Sequence, residues 1–440
     1  MKTEVLKTES VRKLFMRYLI PAISGTMVTS IYVLADTIII GKGIGIDAMA
    51  GLNIVLPLFN IFFGIGLLFG VGGSVLMSIA RGKGNDEEGN RYFTASLILN
   101  AITSIILTII LFLFMNPILY FLGATKVTMP YIEDYAPYII GGLCFFAFST
   151  FLQTFVRNDG APKLSMIAVI SGGVLNIILD IIFVYPLDMG MRGAAIASVL
   201  GSVCTVLILV THFLSKNNGL KLCFKNISYT TVFNISKNGF SSFVVEIASG
   251  IVMFIYNIQI LKYIGDIGVS MYGVITNTVI IVNCLCNGVN QATQPIISVN
   301  YGAGLNDRVN DVKKIGLKTS FIICSVIAVI GLVIPDLFTY IFLNPNEEIL
   351  KLSKMAIRIY FLGFFVMGIN VFIIGYFQST IKPFLSLVIC ILRGCVLSIL
   401  FVYLLPNILG VSGIWASMPL AEFITFIFVI IFLKKDEYLS

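Results

Sequence analysis

Three residues set the chemical question. Asp36, Asn176 and Asp180 stand inside long apolar runs, Asp180 in the stretch GGVLNIILDIIFVYP at 172–186. An ionised side chain at mid-bilayer costs about 2.5–3.5 kcal/mol on insertion scales, so such a group needs a partner or water. Asn176 lies four residues before Asp180 and therefore on the same face of a helix. Two carboxylates and a carboxamide offer hard oxygen ligands. Such a set suits a small cation such as Na⁺, or a proton shared between like charges. On spacing alone a plainer reading stands beside this one: Asp36 caps a helix end near water and Asp180 hydrogen-bonds locally.

Other polar groups interrupt the apolar runs. Glu246 sits in SSFVVEIASG, with function and local pairing equally open to it. Arg393 and Glu422 fall near the middles of consecutive, antiparallel runs and read as a structural ion pair. Gln153, Gln291 and Gln378 have the chemistry to line a substrate cavity or to hydrogen-bond between helices. His212 is the only histidine, which rules out a His-based metal centre or catalytic triad. The 8 cysteines form no CxxC pair, and most lie in apolar runs, where Cys packs as a small hydrophobe. No catalytic constellation emerges, and neither an enzyme nor a bound cofactor is expected.

The elements that carry these residues must be membrane helices. Of the 440 residues 58% are hydrophobic and 12% charged, where soluble domains carry about 25% charged residues. Backbone polar groups in lipid are satisfied only in helices or closed barrels, and the apolar runs are too long and too continuous for barrel strands. Twelve spans are expected, at about 14–40, 48–80, 92–116, 132–156, 164–186, 193–214, 238–263, 268–300, 315–343, 354–380, 384–405 and 411–433. The second and eighth exceed the roughly 20 residues needed to cross, with Pro57 and Pro295 as kink points.

Charge gives the orientation. Of the 29 Lys and Arg, 21 lie on the side of the amino-terminal segment, the connections after even-numbered spans and the carboxyl tail, in them or in the span ends beside them. The opposite side holds 7, and Arg393 lies near the middle of a span. The positive-inside rule then puts both termini and the 215–237 connection in the cytoplasm. The formal charge of +7 belongs to topology rather than to a nucleic-acid groove, and no nucleic acid is expected as a partner. In this orientation Asp36 and Asp180 share a depth in the outer half of the bilayer.

The chain also repeats itself about 220 residues apart. RGKGNDEEG (81–89) echoes in YGAGLNDRV (301–309), and RNDGAPKLSM (157–166) in QSTIKPFLSL (378–387). FVYPLDMGMRGAAIAS (183–198) echoes in FVYLLPNILGVSGIWAS (401–417). Three matches in one order make an internal repeat. Six spans per half give parallel repeats related by an axis along the membrane normal. The expected architecture is all-α: an amino-terminal lobe at 1–214, a cytoplasmic linker at 215–237 and a carboxyl-terminal lobe at 238–440.

QPIISVNYGAG (294–304), its echo GGSVLMSIARGKGN (72–85), Pro21, DTIIIGKG (36–43) and GAAIAS (193–198) resemble the multidrug and toxic compound extrusion (MATE) family over essentially the whole chain. The resemblance implies export of cationic amphiphilic compounds in exchange for Na⁺ or H⁺ by alternating access. It carries a cation site onto Asp36, Asn176, Asp180 and Ser198, with a backbone carbonyl near Ala194, and makes Pro21 a gating or kink residue. Ser198 stands where the family has a threonine. Glu246 resembles a glutamate that serves cation coupling or drug binding in the second lobe of some members. The tenth span has no acid, which leaves no carboxylate-rich second cation site. A monomer in the cell membrane is the implied form. Two rivals are a flippase for lipid-linked sugars of the same superfamily and an intramembrane protease using Asp36 and Asp180. The first would want cavity arginines, and no Gly-x-Gly-Asp signature supports the second.

Overall fold

A computed structural model describes residues 2–342, 345 and 347–439. Among the described residues there is no strand, and helices carry nearly the whole chain. Eleven helices are long and apolar enough to cross a membrane: α1 (Val11–Gly43), α2 (Asp47–Gly82), α3 (Asp86–Leu113), α4 (Met129–Asn158), α5 (Pro162–Val184), α6 (Gly190–Leu214), α7 (Tyr229–Tyr263), α8 (Ile267–Gly302), α9 (Asn306–Val333), α11 (Pro383–Leu409) and α12 (Val411–Asp436). The twelfth span, α10, is a pair of helices, Ile349–Phe361 and Phe364–Ser379, bent by 43°.

Local chemistry explains where the spans depart from expectation. The ninth does not continue to residue 343. It stops at Val333, and a separate short helix runs from Pro335 to Phe342. Proline lacks the N–H that would continue the helix and disfavours helical backbone in the residue before it. The third ends at Leu113, followed by a second short helix at Met115–Phe121. The polar amino-terminal segment begins with a helix of its own, Lys2–Thr8. Pro21 and Pro57 lie within continuous helices.

The chain divides into two compact units. The first contains Met1–Ile247 and Gln294–Val309. One cluster of its core joins Ile40, Leu52, Phe62, Ile132, Tyr135 and Ala194, all 0–1% exposed. A second packs Phe155 against Phe151 and, edge to face, against Phe93, with ring centroids 4.8 and 5.1 Å apart. Lipid is as apolar as leucine, so such helices hold together by close packing rather than by exclusion of water.

Residues 294–309 belong to this unit through both backbone and side chains. A Cβ on Gly302 of α8 would sit 2.2 Å from the Ile79 carbonyl of α2, so the two helices touch backbone to backbone. Asn300 Nδ2 donates to the Leu6 carbonyl at 3.0 Å, and Arg308 Nη2 donates to the carbonyls of Leu6 and Glu9 at 3.1 and 2.7 Å. The last turn of the amino-terminal helix is thereby capped, its carbonyls otherwise lacking intrahelical donors.

The second unit contains Ala248–Thr293 and Asn310–Ser440. Its core gathers Tyr256, Ile275, Phe361, Phe364 and Trp415, each 0–1% exposed. In α11 the helix widens to a π turn at Leu392–Val396.

Candidate cation site

A double glycine in α5 makes the site. A Cβ on Gly172 would lie 1.9 Å from Thr205 Oγ1 and 2.6 Å from the Gly201 carbonyl, so only glycine lets α6 come this close. On the neighbouring face, a Cβ on Gly173 would meet Val28 and Tyr32 of α1 at 3.1 Å. With α5 seated between α1 and α6, the next helical turns bring Asn176 and Asp180 against Asp36 on one side and Ser198 on the other.

The contacts follow from that seating. Asn176 Nδ2 donates to Ser198 Oγ at 3.3 Å. The side chains of Asp36 and Asp180 interact directly, and Asn176 interacts with Asp180. Asp180 is 0% exposed and Asn176 3% exposed, while Asp36 and Ser198 are half-buried. Ala194, fully buried, lies one turn before Ser198 on α6. Tyr135 of α4 is fully buried and within electrostatic reach of both carboxyls, with its hydroxyl toward Ser198.

Both Asp180 oxygens are buried without a hydrogen-bond donor, as are Asp36 Oδ1 and Asn176 Oδ1. Buried polar atoms are almost always satisfied, and facing carboxyls repel when both are ionised. Four orphaned oxygens at one spot fit a hard monovalent cation or a shared proton. Among the described residues no group of three or more His, Cys, Asp or Glu is placed to hold a metal ion.

Tyr135 escaped the sequence reading. It is one of 18 tyrosines, and nothing in MPYIEDYAPY separates it from Tyr131 or Tyr138. Matching its depth to that of Asp36 would have been the one available signal.

The substrate-cavity candidates divide between the units. Gln153 and Glu246 lie in the first, Gln291 and Gln378 in the second. In the first unit Glu246 of α7 packs its Cβ 3.6 Å from where one on Gly64 of α2 would stand. Gln153 Nε2 would be 3.9 Å from a Cβ on Gly25 of α1.

A second buried polar cluster lies past the end of α4 and was not foreseen. Arg81 Nη1 donates to Asp159 Oδ1 at 2.5 Å, and His212 Nε2 pairs with Asp159 Oδ2 at 2.6 Å. The Gly219 N–H donates to Asp159 Oδ2 at 2.9 Å, and Arg81 Nη2 donates to the Gly219 carbonyl at 2.7 Å. Burial pushes the Asp159 carboxyl up, but the hydrogen bond from His212, the charge of Arg81 and the Gly219 N–H together hold it below the usual carboxylate range. The connection between α6 and α7 is further fixed where the Lys221 N–H donates to Asn90 and the Cys223 N–H to Thr94.

Known proteins agree with this build. The chain matches the MatE family over residues 21–182 and 242–404. It is 25% identical over 445 residues to the multidrug export protein MepA of Staphylococcus saprophyticus, covering 99% of this chain and 98% of that one. A MepA from Staphylococcus aureus is also 25% identical, over 436 residues, with 97% and 94% covered. Among solved structures, a MATE transporter in the straight conformation superposes with a TM-score of 0.90 at 23% identity, covering 97% of this chain and 96% of that one. A MOP-superfamily transporter from Pyrococcus furiosus, described as having a binding pocket of reversed polarity, gives 0.89 at 22% identity with the same coverage. The class defined is a multi-span helical membrane transporter rather than an enzyme. The chain belongs to the multidrug and toxic compound extrusion family.

Proposed function

We propose that this protein is a secondary active antiporter that exports cationic amphiphilic compounds across the cell membrane in exchange for Na⁺ or H⁺. The observation that carries the reading is the Asp36–Asp180 pair, with its buried oxygens lacking donors beside Asn176 and Ser198. The export of multiple drugs by the MepA relatives supports the direction and the breadth of transport.

A coupling cation supplies the positive charge that two facing carboxyls lack. Asp180 and Asp36 hold it, Asn176 offers its Oδ1, Ser198 orients Asn176, and the Ala194 carbonyl completes the ligand set. Occupancy of this site biases the equilibrium between inward- and outward-open states, because a ligand shifts a conformational equilibrium only by its difference in affinity for the two. Glu246 and Gln153 are the substrate contacts we favour in the first unit, and Gln291 and Gln378 those in the second. Pro21 is the gating or kink residue of α1. Two six-span lobes at 1–214 and 238–440, joined through a cytoplasmic linker, alternate as a monomer with both termini in the cytoplasm.

The test is efflux of a cationic dye from proteoliposomes with Na⁺ and pH gradients imposed separately. Wild-type efflux should follow one of the two gradients, and D180N should lose that dependence while remaining folded. Gradient-driven efflux by D180N at the wild-type rate overturns the reading.

A further inference from the structure

The second repeat does not reproduce the two-carboxylate cluster. Its register is set by the breaks at Ile44-Gly45 and Ile264-Gly265, where the glycines take φ of +130° and +81°. At this offset Asp36 corresponds to Tyr256. The paired endings GAAIAS and GIWAS match Ser198 to Ser417. At this offset Asn176–Asp180 corresponds to VLSIL at 396–400 in α11, which contains no acid, and the nearest charge is Arg393, opposite Gly173 about one turn earlier.

Arg393 is already engaged. Its Nε donates to Glu422 Oε1 at 2.5 Å, and Asn370 Nδ2 donates to Glu422 Oε2 at 2.7 Å. Asn370 Nδ2 also reaches the Glu422 carbonyl at 2.9 Å. Glu422 is 2% exposed, and both of its carboxylate oxygens have donors, the reverse of the situation at Asp180. Arg393 lies within the π turn at Leu392–Val396, and Ser398 Oγ donates to the Arg393 carbonyl at 2.7 Å. Among the described residues, the titratable groups within electrostatic reach of the pair are Tyr256 from α7, Cys286 from α8, Tyr360 from α10 and Cys390 from α11. They are tyrosines and cysteines, so none supplies a second carboxylate or a second cation.

We propose that Arg393 is a tethered substitute for the coupling cation in the second repeat. Its guanidinium neutralises Glu422 permanently, ion binding is confined to the first repeat, and one monovalent cation is bound per transport cycle. An arginine keeps its proton at every working pH, so the pair responds to neither Na⁺ nor pH. Without the guanidinium, Glu422 becomes a bare buried carboxylate, which must recruit a proton or a cation to stay in the bilayer. This inference rests on the cation site proposed at Asp36 and Asp180.

The experiment is thermal unfolding of the purified full-length protein, titrated with Na⁺ against K⁺ at constant ionic strength and, separately, with pH. Wild type should show stabilisation by one ion, which D180N removes. R393M in the D180N background should regain an ion-dependent midpoint from Glu422. R393M/E422Q leaves neither charge unpaired, folds if R393M alone does not, and should keep the wild-type ion dependence unchanged. The proposal is overturned if D180N/R393M folds but responds to neither Na⁺ nor pH, or if R393M/E422Q loses the wild-type response. A wild-type response that D180N leaves intact overturns the first-repeat site instead, while the R393M arms still report on the second.

Discussion

Asn176 on α5 donates to Ser198 on α6 at 3.3 Å, and the same bond leaves Asn176 Oδ1 buried without a donor of its own. The amide is thereby oriented with one N–H on Ser198 and its oxygen free to ligate. Net hydrogen-bond contributions of about 1 kcal/mol translate to roughly a fivefold change in affinity. S198A should raise the half-saturating concentration of the coupling cation by about that factor, while S198T, which keeps the hydroxyl, should stay close to wild type. Equal half-saturation in S198A and wild type would remove Ser198 from the site.

The close approach of α5 and α6 at Gly172 makes a second prediction. In G172A the added Cβ meets Thr205 Oγ1, which can rotate away, and the Gly201 carbonyl, which cannot. Overpacking of this kind costs about 1–3 kcal/mol, and the separation also draws Asn176 from Ser198. We expect a lowered unfolding temperature together with weakened cation stabilisation. G172A with unaltered stability and cation response would show that the contact is not needed.

Asp159 gives a pH prediction with a definite sign. Its folded carboxyl lies below the ordinary value, which is about 3.9 in an unfolded chain. The stability it contributes is therefore complete at neutral pH and is lost as pH falls through the folded value. Removing one partner of a buried pair typically costs about 3–5 kcal/mol. The gap in unfolding temperature between wild type and D159N should be constant from pH 7 to about pH 5 and close below about pH 4. A gap that persists undiminished in acid would mean that the carboxylate charge is not what matters.

Arg308 holds the amino-terminal helix through three hydrogen bonds, one to Asn300 and two to backbone carbonyls. In R308A the segment 2–9 should exchange its amide hydrogens faster and be cut sooner by protease, with the spans unaffected. R308K, which cannot fork to two carbonyls, should fall between. Protection of residues 2–9 identical to wild type in R308A would place the anchor elsewhere.

What the sequence made legible follows from range. Twelve spans could be read because hydropathy is a local signal, and each overlaps a described helix or helix pair. Asp36 and Asp180 stood out because charge in an apolar run is itself an anomaly. The 43° bend between Phe361 and Phe364 was not read, because LGFF carries no proline and a lone glycine is tolerated within helices. The pairing of Arg393 with Glu422 was read from their depth on neighbouring antiparallel spans. Asn370 and the π turn were not, since neither has a marker at the level of residue type. Asp159, His212 and Arg81 come from connections and helix ends far apart in the chain, and only folding shows that they meet.

The clamp on the amino-terminal helix also dictates an order of events at the ribosome. The Leu6 carbonyl waits for a donor made 294 residues later. At about 5–20 residues per second the delay is roughly 15–60 s. Until Asn300 and Arg308 emerge, the Lys2–Thr8 helix must keep its end in water, outside the bilayer. The helix at Lys2–Thr8 thus finds its place only after α8 has been made.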